Sequence, residues 1–237
     1  MYFYSSKYIR AVAFAGATVM LGTNNTMAQE SFTPTQWPNT STARVEALAV
    51  LQTLNANLLG NTSATLTLDR WCAAHKLAPE GSKILAQRIR GQDKPADGHI
   101  RELLAVGPDE PVIYRRVRLA CGDRVLSEAD NWYVPARLTA EINQALNSSD
   151  IAFGRAVQSL KFTRTILSAK LLWSPLPEGW DMGADSPPSG AGALTLPPFL
   201  LEHHAVLKLP DGTPFSALVE TYTSNVLDFP VPYLRPE

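Results

Sequence analysis

The chain has 237 residues, 45% of them hydrophobic, with 21 Lys and Arg against 22 Asp and Glu. That composition excludes a disordered chain and builds no basic face, so nucleic acid is not expected as a partner. The length suits one domain with a sizeable core.

The first residues read as an address. Lys7 and Arg10 precede an apolar run, Ala11–Leu21, and small residues ending at Thr26-Met27-Ala28 follow. This order is that of a secretory signal peptide, and the run is too short to cross a bilayer as a helix. Removal of residues 1–28 would take away two cations and leave 19 against 22 acids in residues 29–237. The expected product is an exported, periplasmic, monomeric domain with no stable membrane insertion after processing.

Residues 29–40 read as an extended lead-in. From Ser41 onward, Val45, Leu48, Leu51, Leu54 and Leu58 recur at helical spacing, and Gly60 ends the run. Residues 64–77 read as a second helix behind a Thr-rich cap. Lys83–Arg90 is a candidate strand, and a short helix is expected at His99–Val106. Val112–Ala120 and Val125–Val134 flank Cys121-Gly122-Asp123 as a hairpin. Helical segments at Leu138–Leu146 and Ile151–Leu160 precede a strand at Lys161–Trp173.

Residues 174–198 are rich in Pro and Gly and read as a long excursion, either a lid or an exposed insertion. Leu200–Leu209 and Pro214–Thr223 form a last hairpin around Pro210-Asp211-Gly212. The fold class is therefore α+β, an antiparallel β-sheet of hairpins with helices packed on it.

Cys72 and Cys121 are either a disulfide or two buried thiols that never meet. Nucleophile-elbow, P-loop, dinucleotide and HExxH patterns are absent. The adjacent His203 and His204 point to opposite faces of a strand, so no metal and no cofactor is expected. One histidine should meet the sheet surface and the other a helix.

Polar residues interrupt two strands that otherwise read as core. Arg115, Arg116 and Arg118 crowd one strand and Glu220 sits in another. Alternation puts Arg116 and Arg118 on one face and Arg115 on the other. A purely structural reading leaves all three solvated and paired with Glu128 or Asp130 across the hairpin.

The segment YRRVRLACGDRVLSEADNWYVP (114–135), with IAFGRAVQ (151–158), FTR (162–164) and LKLPDGTPFSALVETYT (207–223), resembles the chorismate lyase family in order along the chain. TLTLDRW (65–71) is similar to the segment that opens the family's domain. The family's fold is shared by effector-binding domains of GntR-type regulators, which bind small molecules without catalysis. The resemblance implies a carboxylate-binding Arg116, an acidic Glu220, and substrate contacts from Leu66, Arg118 and Phe153. It also implies a small anionic aromatic or cyclic acid as ligand. The activity would be a carbon–oxygen lyase that cleaves chorismate to 4-hydroxybenzoate and pyruvate; the alternative is an exported protein that binds such an acid. The sequence departs from the family at Arg118, where an apolar residue is usual, and at Asn131, where an arginine is usual. One extra residue before Glu220 and the 174–198 excursion are further departures.

Overall fold

The computed structural model describes residues 37–230, all within the unit Pro34–Glu237. The expected leader, residues 1–28, lies outside the described residues. Among those described, no helix is long and apolar enough to cross a membrane.

Helices α1 (Ser41–Leu59) and α2 (Ala64–Ala74) open the domain. Each is started by a side chain that accepts from a first-turn N–H, Thr40 from Ala43 and Ser63 from Leu66. Strand β1 (Leu85–Ile89) and helix α3 (Gly98–Leu104) follow, then β2 (Ile113–Cys121) and β3 (Arg124–Tyr133). Helices α4 (Ala140–Ser148) and α5 (Phe153–Ala156) lead to β4 (Thr163–Leu171), β5 (Phe199–Lys208) and β6 (Pro214–Thr223). The six strands form one antiparallel sheet in the order β1-β2-β3-β6-β5-β4. Both expected hairpins are present, and Gly122 and Gly212 hold the left-handed turn conformations they need, at φ 56° and 87°.

The expected second helix stops at Ala74, and the expected helix at Ile151–Leu160 shortens to α5 plus a 3-10 turn at Gln158–Leu160. Gly154 sits inside α5 because a Cβ there would come 2.7 Å from Ser63 Oγ and 2.9 Å from Thr65 Oγ1. Only glycine lets α5 lie this close to the start of α2.

One face of the sheet is covered. Leu51, Leu54 and Leu58 of α1 and Leu68 and Trp71 of α2 pack with Val117, Leu119, Leu126 and Tyr222. Ile142 and Leu146 of α4 join Phe153, Phe162, Phe215 and Leu218 in a second cluster on the same face. Among the described residues the other face carries α3, which packs through Leu104, Ile100 and Leu103 on Trp132, Val206 and Ala217. Cys72 of α2 and Cys121 of β2 are joined as a disulfide, Cα–Cα 6.5 Å, which bolts the helical layer to the sheet.

The second half of the 174–198 excursion meets the start of α1. Asn39 and Trp37 exchange backbone hydrogen bonds with Gly190, Gly192 and Leu194, and buried Arg44 of α1 donates to Asn39 and to the Pro187 and Pro188 carbonyls. Leu194 and Leu196 pack against the first core cluster. Residues 180–192 are exposed, so the middle of the segment is an exposed insertion tied down at its end.

Candidate functional site

Strand β2 alternates between two environments. Arg115 faces the helices, in register with Asn131 of β3, while Arg116 faces the other way, in register with Asp130. On β6, Glu220 is in register with Ala129 and His203, which places it on the helix-covered face. Arg116 and Glu220 are therefore not brought together; the thickness of the sheet separates them. Alternation with a period of two is the reason, since β2 and β6 present these residues on opposite sides.

Arg116 and Arg118 belong to an ion-paired network on the open face. Arg116 pairs with Glu128 at 3.1 Å and Asp130 at 3.4 Å, and Arg118 pairs with Glu128 at 3.1 Å. Lys94 reaches Asp130 at 3.4 Å, and the Tyr114 hydroxyl donates to Asp130 at 2.7 Å. For these two arginines the pairing with Glu128 and Asp130 holds, and Arg118 is accordingly not a contact of the covered cavity.

The covered face contains a void of about 40 Å³, room for a few water-sized groups. The first turn of α2 (Thr62 to Thr65), Phe153 and Gly154 of α5, and the sheet residues Arg115, Asn131, Arg164 and Glu220 border it, amid apolar Val117, Leu119, Phe162 and Leu218. Phe153 and Glu220 line the cavity; Leu66 is half-buried one residue beyond its wall. Arg115, Arg164, Asn131 and the α2 start are the functional candidates that the resemblance did not supply. Parity along β2 could have found Arg115, since it already put that residue opposite Arg116.

Arg115 is 2% exposed. Its Nη2 donates to the Ile151 carbonyl at 3.0 Å, while Nε and Nη1 are buried with no hydrogen-bond partner among the described residues. Burial, with the nearby Arg88 cation, pulls its pKa down to about 10, against smaller opposing effects of Tyr133 and Asp150. The side chain still carries its charge at neutral pH. A buried cation with idle donors is costly unless something anionic meets it. Beside it, the Asn131 side chain accepts from Ser216 at 2.6 Å while its Nδ2 has no partner among the described residues.

Arg164 and Glu220 form the other charged part. Arg164 Nη2 lies 2.5 Å from Glu220 Oε2, with side chains 3% and 8% exposed, and the Tyr222 hydroxyl donates to the same oxygen at 3.2 Å. Burial works against the Arg164 charge, but Glu220 beside it more than compensates and the pKa lies above the ordinary arginine value. Burial pushes the Tyr222 hydroxyl well above its ordinary value, and lowers His203 to about 4, so both are neutral at neutral pH. His203 meets Asn55 of α1 at 2.9 Å, whereas His204 lies on the open side and meets Glu202 at 3.0 Å. One histidine faces a helix and one the sheet surface, as alternation requires. Among the described residues no group of three or more metal-ligating side chains is assembled.

No family model matches the chain. Across all 237 residues it is 66% identical to the uncharacterized protein y4mC of Sinorhizobium fredii (strain NBRC 101917 / NGR234), covering 100% of both. Among solved structures, PhnF from Mycobacterium smegmatis matches over 75% of this chain and 71% of that one, with 15% identity and a TM-score of 0.45. YydK from Bacillus subtilis subsp. subtilis str. 168 matches over 65% of this chain and 63% of that one, with 17% identity and a TM-score of 0.38. The chain thus spans less than two thirds of the YydK length. Likenesses of this strength carry no information about ligand or activity.

Proposed function

This chain belongs to the family of the S. fredii protein y4mC, and we propose that its covered cavity binds a small organic anion, with Arg115 holding the carboxylate. The observation that carries this reading is the pair of idle, buried donors on Arg115, at a cavity whose other walls are largely apolar. A guanidinium offers parallel N–H donors to a carboxylate. The start of α2 adds N–H groups that a helix does not use internally. A ligand larger than a few atoms requires the Thr62–Thr65 and Phe153–Gly154 segments to part, and these are held together by close packing at Gly154.

The test is a titration with small carboxylic acids followed by thermal unfolding and calorimetry. Arg115→Met should remove the response, and Arg116→Met should keep it. The reverse outcome would hand the anchor to the open face and sink the reading.

The enzymatic reading, chorismate cleavage, draws on one feature: Glu220 and a guanidinium share the cavity. Glu220 is already engaged by Arg164 and Tyr222, so the same carboxyl oxygen is held by two wall residues rather than left to meet a substrate. Binding is therefore the better reading. Release of 4-hydroxybenzoate and pyruvate from chorismate, lost in Glu220→Gln, would reverse that order.

The same proposal includes removal of residues 1–28 and action as a monomer in an oxidising, extracytoplasmic compartment. The Cys72–Cys121 disulfide supports this, because such bonds persist in oxidising surroundings. Mass spectrometry of the isolated protein should find a new N-terminus after Ala28; an intact Met1 in the cytoplasmic fraction would refute it.

A further inference from the structure

We propose that the cavity counts charge: it accepts a small monocarboxylic acid with an apolar body and discriminates against the dicarboxylic acid of the same shape, with Glu220 setting the limit. This rests on the anion-binding reading above and adds the ligand's charge class to it.

The argument is a charge count over the cavity wall. Three charged side chains border it, Arg115, Arg164 and Glu220. Arg164 and Glu220 are paired at 2.5 Å and cancel. What remains is the Arg115 cation, with no ion-pair partner among the described residues and two idle donors. Around Glu220, β3 brings Ala129 and Asn131, neither of which titrates. β4 brings Arg164, β5 brings His203, β6 brings Tyr222, and β2 brings Arg115 across the cavity. α1 contributes Asn55, bound to His203, while α2 and α5 bring Ser63, Thr65 and Phe153, none of which titrates. Beyond the wall, Arg88 and Asp150 act on Arg115 with opposite sign. The buried excess is one positive charge.

One carboxylate cancels that excess while the rest of the ligand meets Val117, Leu119, Phe162 and Leu218. A second carboxylate finds no free cation. It must take Arg164 from Glu220, leaving Glu220 buried without its partner, or enter beside Glu220 as a like charge. Two carboxyl groups in one desolvated site cannot both stay ionised cheaply, so one takes up a proton. A dicarboxylic acid should therefore bind with uptake of about one proton and more tightly as pH falls. A monocarboxylic acid should bind with none.

The experiment uses two shape-matched pairs, butyrate with succinate and benzoate with terephthalate. Each is titrated into the whole protein near neutral pH, in buffers of differing ionisation enthalpy. The monocarboxylate of a pair that binds should be favoured by about tenfold or more, with no proton exchanged, while its partner takes up about one. Glu220→Gln should shift the ratio toward the dicarboxylate by about tenfold, because the wall then carries two cations. If that variant does not fold, the proton count on the unaltered protein decides. A dicarboxylate bound as tightly as its partner with no proton uptake overturns charge counting and leaves the anion reading intact. If none of the four acids binds, the anion reading itself fails and this inference falls with it.

Discussion

Arg115 and Arg116 are consecutive on one strand, yet they answer to different physics. On the open face, Arg116 shares two acids with Arg118, Lys94 and Tyr114, and its side chain is one-third exposed. Water screens such a network, and each of its cations has an acid within ion-pair distance. On the covered face, Arg115 is buried beneath α2 and α5 with donors that no side chain meets. The lesson is that a crowd of charges marks a satisfied surface, while a single charge kept dry and unmatched marks a place built for something else to enter.

That contrast can be broken at several points. Glu220→Ala should do the most damage, leaving Arg164 buried without its partner at a cost of about 3–5 kcal/mol, measurable by denaturant unfolding. Stability close to that of the unaltered protein would mean the covered face tolerates lone cations, and the meaning attached to Arg115 would dissolve. Replacing Cys72 and Cys121 together by Ser releases a loop set by a sequence separation of 49 and should cost roughly 4 kcal/mol. If α2 is held over the cavity by this bond, ligand affinity should fall in the same variant.

His203 gives the covered face a pH signature. Burial lowers its pKa from 6.5 to about 4, with Glu220 opposing and Arg164 reinforcing. The unfolded chain therefore binds the proton first as pH falls, so stability is full above pH 6.5 and is lost as pH drops from 6.5 toward 4. The loss should be about 3 kcal/mol, and it should be absent from His203→Gln, so that it appears as the difference between the two proteins. His204, on the open side, should leave no such trace when replaced by Gln. The smallest effect belongs to the open face: Arg118→Ala should change stability by less than about 1 kcal/mol and leave ligand binding untouched.

Much of the architecture was legible because local patterns and tertiary packing agree. The period of Leu51, Leu54 and Leu58 made α1, and turn glycines at Gly122 and Gly212 made the two hairpins. The split of Arg115 from Arg116 and Arg118, and of His203 from His204, also followed from strand alternation alone. The resemblance to chorismate lyases then drew attention to Arg116, and the register shows that Arg115 is the one on the side of Glu220. The residues around 151–160 read as one helix because apolar spacing there continues past the point where close packing against Ser63 and Thr65 shapes the chain.

The sequence by itself determined the α+β class, the order of elements and which neighbours part company on a strand, since these depend on short-range periods. Which face is covered was decided only in the tertiary structure. So were the pairing of Cys72 with Cys121, the pairing of Arg164 with Glu220, and the isolation of Arg115. The partners lie 49, 56 and 36 positions apart in the chain, and no local pattern encodes a meeting at that distance. Only the sheet order and the seating of α2 and α5 bring them together, and only that burial turns an ordinary arginine into a cation in search of an anion.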